Sequence, residues 1–172
     1  MTRPTVHASA VLVGAAAVLI RGPSGSGKSR LAFELILAGR AGQIPPAILV
    51  GDDRVRLDTS GGKLIVRAVP ELAGLIEIRG LGVRRIEHVA EAEVGLVVDL
   101  AAEDAARMPA AEALTTRIDG VELPRIPVNL RYSPLPLIAA ALTTTDGTNA
   151  SRPSADCRKE IANHISPTIA TE

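Results

Sequence analysis

Apolar positions along the chain fall into short runs separated by glycine, proline and charged residues, and their spacing changes from one run to the next. Val11-Leu12-Val13 and Ala17-Val18-Leu19-Ile20 are β-branched, strand-length segments with Gly14 between them, which predicts a hairpin or a bent strand. From Lys28 to Ala38 the period changes to that of a helix. Leu31, Leu35 and Ala38 share one face with Ala32 and Ile36 beside them, Arg30 and Glu34 pair on the other, and Gly39 is read as the stop. Pro45-Pro46 rule out helix in the following loop. Ile48-Leu49-Val50 is a short strand that delivers Gly51-Asp52-Asp53 at its end. Val55 to Leu57 and Leu64 to Val66 form a hairpin across Thr59 to Gly62. Short elements surround Glu77-Ile78-Arg79-Gly80, and Val94 to Leu100 is a second strongly apolar strand containing Asp99. Ala101 to Ala106 is a helical turn or loop. Ala113 to Ile118 and Val121 to Val128 pair around Asp119-Gly120, and Leu135 to Leu142 is a short apolar helix. Residues 144–172 form a polar tail, read as flexible, with a marginal helix over Ala155 to Ile165.

Several strands follow one another without intervening helices. This predicts an α/β fold with mixed and antiparallel strands in one catalytic domain over residues 1–143, not a doubly wound parallel sheet. A chain of 172 residues suffices for one such core. With one Tyr, one Phe and no Trp, that core must be aliphatic, and stacking surfaces for single-stranded nucleic acid are lacking. Nineteen basic residues balance nineteen acidic ones, so no charge excess draws the chain to a nucleic-acid backbone. The longest apolar run, Ala8 to Ile20, is broken by Gly14 and too short for a bilayer, and no membrane association is expected. Cys157 is the sole cysteine, without disulfide or zinc partners, which fits a reducing, cytoplasmic setting.

Chemistry enters at Gly22-Pro23-Ser24-Gly25-Ser26-Gly27-Lys28-Ser29, a complete G-x-x-x-x-G-K-[ST] phosphate loop between predicted strand and predicted helix. Glycines let backbone N–H groups converge on phosphate oxygens, the helix adds its positive dipole end, Lys28 reaches the β- and γ-phosphates, and Ser29 ligates Mg²⁺. ATP with Mg²⁺ is the expected cofactor pair. The guanine-reading N-K-x-D of GTPases is absent, as is the signature loop of ABC ATPases. A kinase or a nucleotide sensor remains. Asp52 and Asp53 follow an apolar strand and point in different directions, so one can serve as base while the other supports the metal. Glu77-Ile78-Arg79-Gly80-Leu81-Gly82 sets a carboxylate beside an arginine in a glycine-rich segment suited to phosphate chemistry.

The phosphate loop, then Asp52-Asp53-Arg54-Val55, then Glu77 to Gly82, with His7 ahead of them, together resemble the catalytic domain of HPr kinase/phosphorylase. That bacterial enzyme phosphorylates a serine of the phosphocarrier protein HPr. The similarity runs from about His7 to Val128 and implies a phosphate-loop core related to the phosphoenolpyruvate carboxykinase fold, assembled as a homo-oligomer, usually a hexamer. It also implies a role in regulating carbon or nitrogen metabolism through a phosphotransferase system. The resemblance makes Asp52 the base for phosphorylation and the acid for the phosphorolytic reverse reaction, with His7 tuning it. It puts Glu77 and Ser29 on Mg²⁺ with Asp53 supporting the site, and Arg79 and Arg107 on the transferring phosphate. No long N-terminal domain precedes His7, as in the short alphaproteobacterial form. The loop before Asp52 is longer than usual in the family. Leu130-Arg131-Tyr132 stands in place of the family's G-R-N segment, and Leu137 to Leu142 lacks the acid of its HPr-docking helix. Two other functions fit the motif: a nucleotide-sensing module without phosphotransfer, and a small-metabolite kinase, for which no lid segment is evident.

Overall fold

The computed structural model of the protein describes residues 4–145 and residue 147. The first hairpin forms as expected, β1 (Ser9–Val13) against β2 (Ala16–Arg21), with Leu12 opposite Ala17. Helix α1 (Lys28–Arg40) follows, then β3 (Ala47–Gly51), which lies antiparallel to β1 on its other side. The hairpin β4 (Val55–Ser60) and β5 (Lys63–Ala68) comes next, then a separate two-stranded ribbon of β6 (Leu75–Ile78) and β7 (Gly82–Arg85). The long β8 (Glu91–Leu100), β9 (Thr115–Ile118), β10 (Val121–Val128) and α2 (Pro134–Thr143) complete the described chain.

The main path of the sheet is β3-β1-β2-β8-β10-β9. Within it β2, β8 and β10 are parallel neighbours, with Leu19 beside Val97 and Val98 beside Ile126, and the remaining pairs are antiparallel. Strand β8 serves two partners in succession. Its first residues, Glu91 to Glu93, pair with β5, and the rest continues between β2 and β10. The mixed α/β architecture inferred from uninterrupted runs of strands is present.

Both faces of the sheet are covered, and the two-residue period of the strands divides the apolar residues between them. Val11, Val18, Ile20, Leu49 and Val98 face α1, whose Leu31, Ala32, Leu35 and Ile36 are buried against them. Ala10, Ala17, Leu19, Val50 and Val97 face the β4–β5 hairpin, where Val55, Leu57, Leu64 and Val66 close a second core. Thirteen residues of helix are marginal in water. Burial of each large aliphatic side chain contributes about 1.5–3 kcal/mol, so packing on the sheet decides that α1 forms.

The helix does not stop at Gly39. It runs through Arg40, and Gly42, at φ 71°, turns the chain out, with Gly42 N donating to Gly39 O and Gln43 N to Ala38 O. Gly39 serves packing instead. A β-carbon there would lie 2.7 Å from the backbone nitrogen of Ala47, where the helix crosses the start of β3. Residues Ala113 and Leu114, expected in a strand, belong to a short 3-10 turn, Ala111–Leu114, ahead of β9. The turn at Asp119 (φ 47°) and Gly120 (φ 83°) joins β9 to β10 as predicted. The polar tail beyond residue 147, with the helix expected at Ala155 to Ile165, lies outside the described residues. Among the described residues no helix is long and apolar enough to cross a membrane.

Candidate active site

Strand β1 is antiparallel to both β2 and β3, so β2 and β3 run in one direction, and β8 and β10 run with them. All four therefore end at the same edge of the sheet, the edge at which ligands gather in open α/β folds. The phosphate loop leaves from β2 and Asp52-Asp53 from β3, although some two dozen residues separate them.

Within the loop Gly27 takes φ 97° at the N-cap of α1, a conformation that costs a side-chain-bearing residue, and this turns the first helical N–H groups toward the loop. Lys28 is buried, and its Nζ donates to the carbonyls of Gly22 and Pro23 at 3.0 Å each. Burial lowers its pKa below the ordinary lysine value, partly offset by the carboxylates of Asp53 and Asp52. Ser26 Oγ is buried without a hydrogen-bond partner. A buried hydroxyl left unpaired costs about 1–3 kcal/mol. The loop thus contains a polar atom that a phosphate oxygen would satisfy.

The two adjacent aspartates have different surroundings. Asp52 is 3% exposed and both its oxygens are engaged, Oδ1 by the Ser9 hydroxyl at 2.6 Å and Oδ2 by the backbone N–H of Glu77 at 3.1 Å. It ties β3, β1 and β6 together beneath the cleft. The Arg54 N–H donates to the Asp52 carbonyl at 2.7 Å, and within this tight turn Asp53 adopts φ 64°. That left-handed conformation is uncommon for a residue other than glycine. Asp53 is thereby turned out toward the phosphate loop, with its side chain 61% exposed and Oδ1 3.3 Å from His7 Nε2.

A cleft of about 630 Å³ runs along the loop, lined by His7, Lys28, Ser29, Asp53, Glu77 and Arg79, with Ser24 to Gly27 as its floor. A second hollow of about 450 Å³, lined by Thr5, His7, Ser24, Asp53 and Arg54, adjoins it. His7 and Asp53 border both and stand at their junction. Sequence-predicted residues from four separate segments are thus assembled around one space. Arg107 is not among them, being exposed in the segment after β8 and outside the lining of the cleft.

Among the described residues no three His, Cys, Asp or Glu side chains are grouped to hold a metal alone. The oxygens that line the cleft suit Mg²⁺, which takes one or two carboxylates together with substrate phosphates and water. The Ser29 hydroxyl and the Glu77 carboxylate, with Asp53 nearby, supply such a set.

Comparison with known proteins gives these positions a family. Residues 1–145 match the family described as the HPr Serine kinase C-terminal domain. The chain belongs to this family. Relatives of the HPr serine kinase C-terminal domain family include proteins named HPr kinase/phosphorylase. One from Mycoplasma mycoides is 38% identical over 101 residues, covering 55% of this chain and 30% of its own length. Another, from Neisseria meningitidis, is 34% identical over 128 residues, covering 70% and 37%. The chain thus spans about a third of the length of these curated relatives. The solved structure described as the Hpr(Ser) kinase/phosphatase from Coxiella burnetii aligns with a TM-score of 0.64 at 26% identity, over 93% of this chain and 99% of that one. The HPr serine kinase fold expected from the sequence is therefore the fold observed.

Two groups of residues in this HPr serine kinase domain escaped the sequence reading. Ser9 is one, since nothing local marks a serine in an apolar strand as the partner of an aspartate 43 residues away. The other is a charged cluster behind the phosphate loop. Arg21, the last residue of β2, grips Asp99 with two bonds at 2.7 and 2.8 Å. Arg125 bonds the same Asp99 at 2.5 Å and holds Asp104 with two more. Asp99 is the penultimate residue of its strand, paired with Arg21 just before the phosphate loop, where a metal-supporting acid commonly sits, yet it faces these arginines and is not in the lining of the cleft.

Proposed function

We propose that the chain is an Mg²⁺- and ATP-dependent kinase that phosphorylates a serine hydroxyl of an HPr-like phosphocarrier protein, and that it also removes the group by phosphorolysis, passing it to inorganic phosphate to give pyrophosphate. The observation that carries this reading is the position of Asp53 and His7 at the junction of the phosphate-loop cleft with a second, solvent-open hollow. A donor phosphate on the loop and an acceptor hydroxyl in the hollow would meet at these side chains. A nucleotide sensor has no need of a carboxylate at such a junction.

In this reading the backbone N–H groups of the loop and Lys28 bind the phosphates, and Lys28 exchanges its two carbonyl partners for phosphate oxygens. Asp53, in place of Asp52, accepts the proton of the serine hydroxyl, because Asp52 is enclosed and already bonded at both oxygens. His7, 3.3 Å away, orients Asp53. The serine Oγ–P bond forms as the bond between the γ-phosphorus and its bridging oxygen breaks, ADP carries the leaving charge, and the proton rests on Asp53. Arg79 offsets charge on the transferring group. Ser29 and Glu77 would hold Mg²⁺, which neutralises phosphate charge when bound. In phosphorolysis an inorganic phosphate held on the loop attacks the phosphoserine phosphorus, the serine Oγ–P bond breaks as pyrophosphate forms, and Asp53 returns its proton to the serine oxygen. Leu81 and Val83, exposed on the β6–β7 ribbon next to Arg79, give the rim an apolar surface fit for a protein substrate.

The test is incubation of the purified chain with ATP, Mg²⁺ and HPr-type carriers from the same organism, read by intact mass. One phosphoryl group should appear on a carrier serine with wild-type protein and none with Lys28→Ala. Binding of ATP without transfer to any carrier would overturn the kinase reading in favour of a sensor.

A further inference from the structure

A third cavity, of about 330 Å³, lies on the opposite flank of the phosphate loop. Its walls include Ser26 of the phosphate loop, Arg30 in the first turn of α1, Leu100 at the end of β8, Val128 at the end of β10 with Asn129 after it, and Tyr132 in the turn before α2. We propose that this cavity takes the nucleoside of the donor triphosphate and that Tyr132 stacks on its base. The inference rests on the reading that the phosphate loop binds ATP, and adds where the rest of the nucleotide goes.

The direction of the phosphate chain follows from sheet order. Asp53 leaves from β3, on one side of β2, whereas β8 and β10 lie on the other. A triphosphate whose terminal phosphate faces Asp53 and Glu77 sends its α-phosphate and nucleoside toward the ends of β8 and β10. Ser26, Gly27 and Arg30 line both the first cleft and this cavity, so the loop is a continuous floor between them. The volume is at the lower end of the range for small-molecule pockets, about 300–1,000 Å³, and suits one nucleoside.

Tyr132 supplies the second argument. The chain contains one tyrosine, one phenylalanine and no tryptophan, and both aromatic residues border the spaces flanking the phosphate loop, Phe33 the first and Tyr132 this one. Tyr132 is 63% exposed, in a protein whose buried core residues are all aliphatic and whose other ring, Phe33, is only partly buried against them. An ordered turn presents it: the Tyr132 N–H donates to the Asn129 carbonyl at 3.1 Å, and the Arg131 N–H to Asn129 Oδ1 at 3.0 Å. A planar ring held at the mouth of a nucleoside-sized cavity matches the π-face of a base.

The sole tyrosine, in a chain without tryptophan, is its own reporter. ATP·Mg²⁺ and tripolyphosphate·Mg²⁺ are titrated in parallel into the full chain. Tyrosine emission is corrected against free tyrosine at the same nucleotide concentration, and affinities come from calorimetry. ATP should quench Tyr132 and tripolyphosphate should not, although both bind. Tyr132→Ala should weaken ATP roughly ten-fold and leave tripolyphosphate within about two-fold, and Tyr132→Phe should restore ATP affinity. ATP binding without quenching, an unchanged ATP affinity in Tyr132→Ala, or equal losses for both ligands would each overturn the nucleoside site while leaving the loop as a phosphate site. Failure of wild-type protein to bind either ligand would overturn the ATP reading, and this inference with it.

Discussion

Replacing Asp52 and Asp53 by asparagine, one at a time, separates a carboxylate that holds the site together from one that reacts in it. Asp52 accepts a serine hydroxyl and a backbone N–H at 3% exposure. Asparagine keeps the shape and one acceptor oxygen. That oxygen must serve the Glu77 N–H, which can only donate, while the Ser9 hydroxyl rotates to accept from the new amide. Two charge-assisted bonds of about 1.5–3 kcal/mol become neutral bonds of about 1 kcal/mol, partly offset because a charge is no longer buried. A net loss of about 1–2 kcal/mol lowers Tm by about 2–8 °C in a chain of this size. Asp53→Asn should behave in the opposite way. Asparagine tolerates φ 64°, the side chain is mostly exposed, and stability should stay within about 0.5 kcal/mol. Loss of a general base lowers the rate of transfer by about 10²- to 10⁴-fold. Thermal melts and phosphotransfer rates by intact mass on the two variants are the assay. Abolished transfer in Asp52→Asn at unchanged Tm, with Asp53→Asn transferring at the wild-type rate, would refute the assignment and return the base to Asp52.

Two further outcomes follow from the packing and the charges. Gly39→Ala should destabilise the protein by about 1–3 kcal/mol, read from urea midpoints, although alanine is the better helix former by about 1 kcal/mol. Its β-carbon meets backbone of Ala47 at 2.7 Å, and a neutral or stabilising result would show that α1 and β3 separate easily. Burial alone would raise the pKa of Asp99, but hydrogen bonds and charge from Arg21 and Arg125 outweigh it and hold the carboxyl below its ordinary 3.8. The stability this contributes is present above the ordinary value and is lost as pH falls through the lowered one. Wild-type protein should therefore lose stability more steeply than Asp99→Asn as pH falls below about 4, and parallel curves would contradict the network's role.

What was legible in the sequence was mostly local. Hairpin β1–β2, helix α1, the Asp119-Gly120 turn and the phosphate loop rest on spacing within some ten residues, and each appears where expected. Strand β7 was missed because Gly82 to Arg85 is exposed throughout and has no apolar alternation. Gly39 was misread because a packing glycine and a stop glycine look the same until Ala47 is placed against one of them. The site was legible in its membership more than its geometry. His7, Lys28, Ser29, Asp53, Glu77 and Arg79 line one cleft. Which aspartate faces that cleft depends on a backbone turn, and the partners of Asp52 and Asp99 are set by pairings between distant strands.

The place of β8 in the sheet also has a consequence for how the protein is made. Strand β2, from which the phosphate loop springs, has Arg21 beside Asp99, 78 residues further on. At elongation rates of about 5–20 residues per second, the ribosome needs about 4–16 s to synthesise the segment between them. During that interval β2 has β1 as its one strand partner, with α1 and then the β4–β5 hairpin packed on its faces, and its other edge is open to pairing with any passing strand. Nucleotide offered to the nascent chain before β8 emerges would find neither the walled loop nor the anchored Arg21. Slow, long-range closure of β2 onto β8 is thus the step at which chaperones have most to protect.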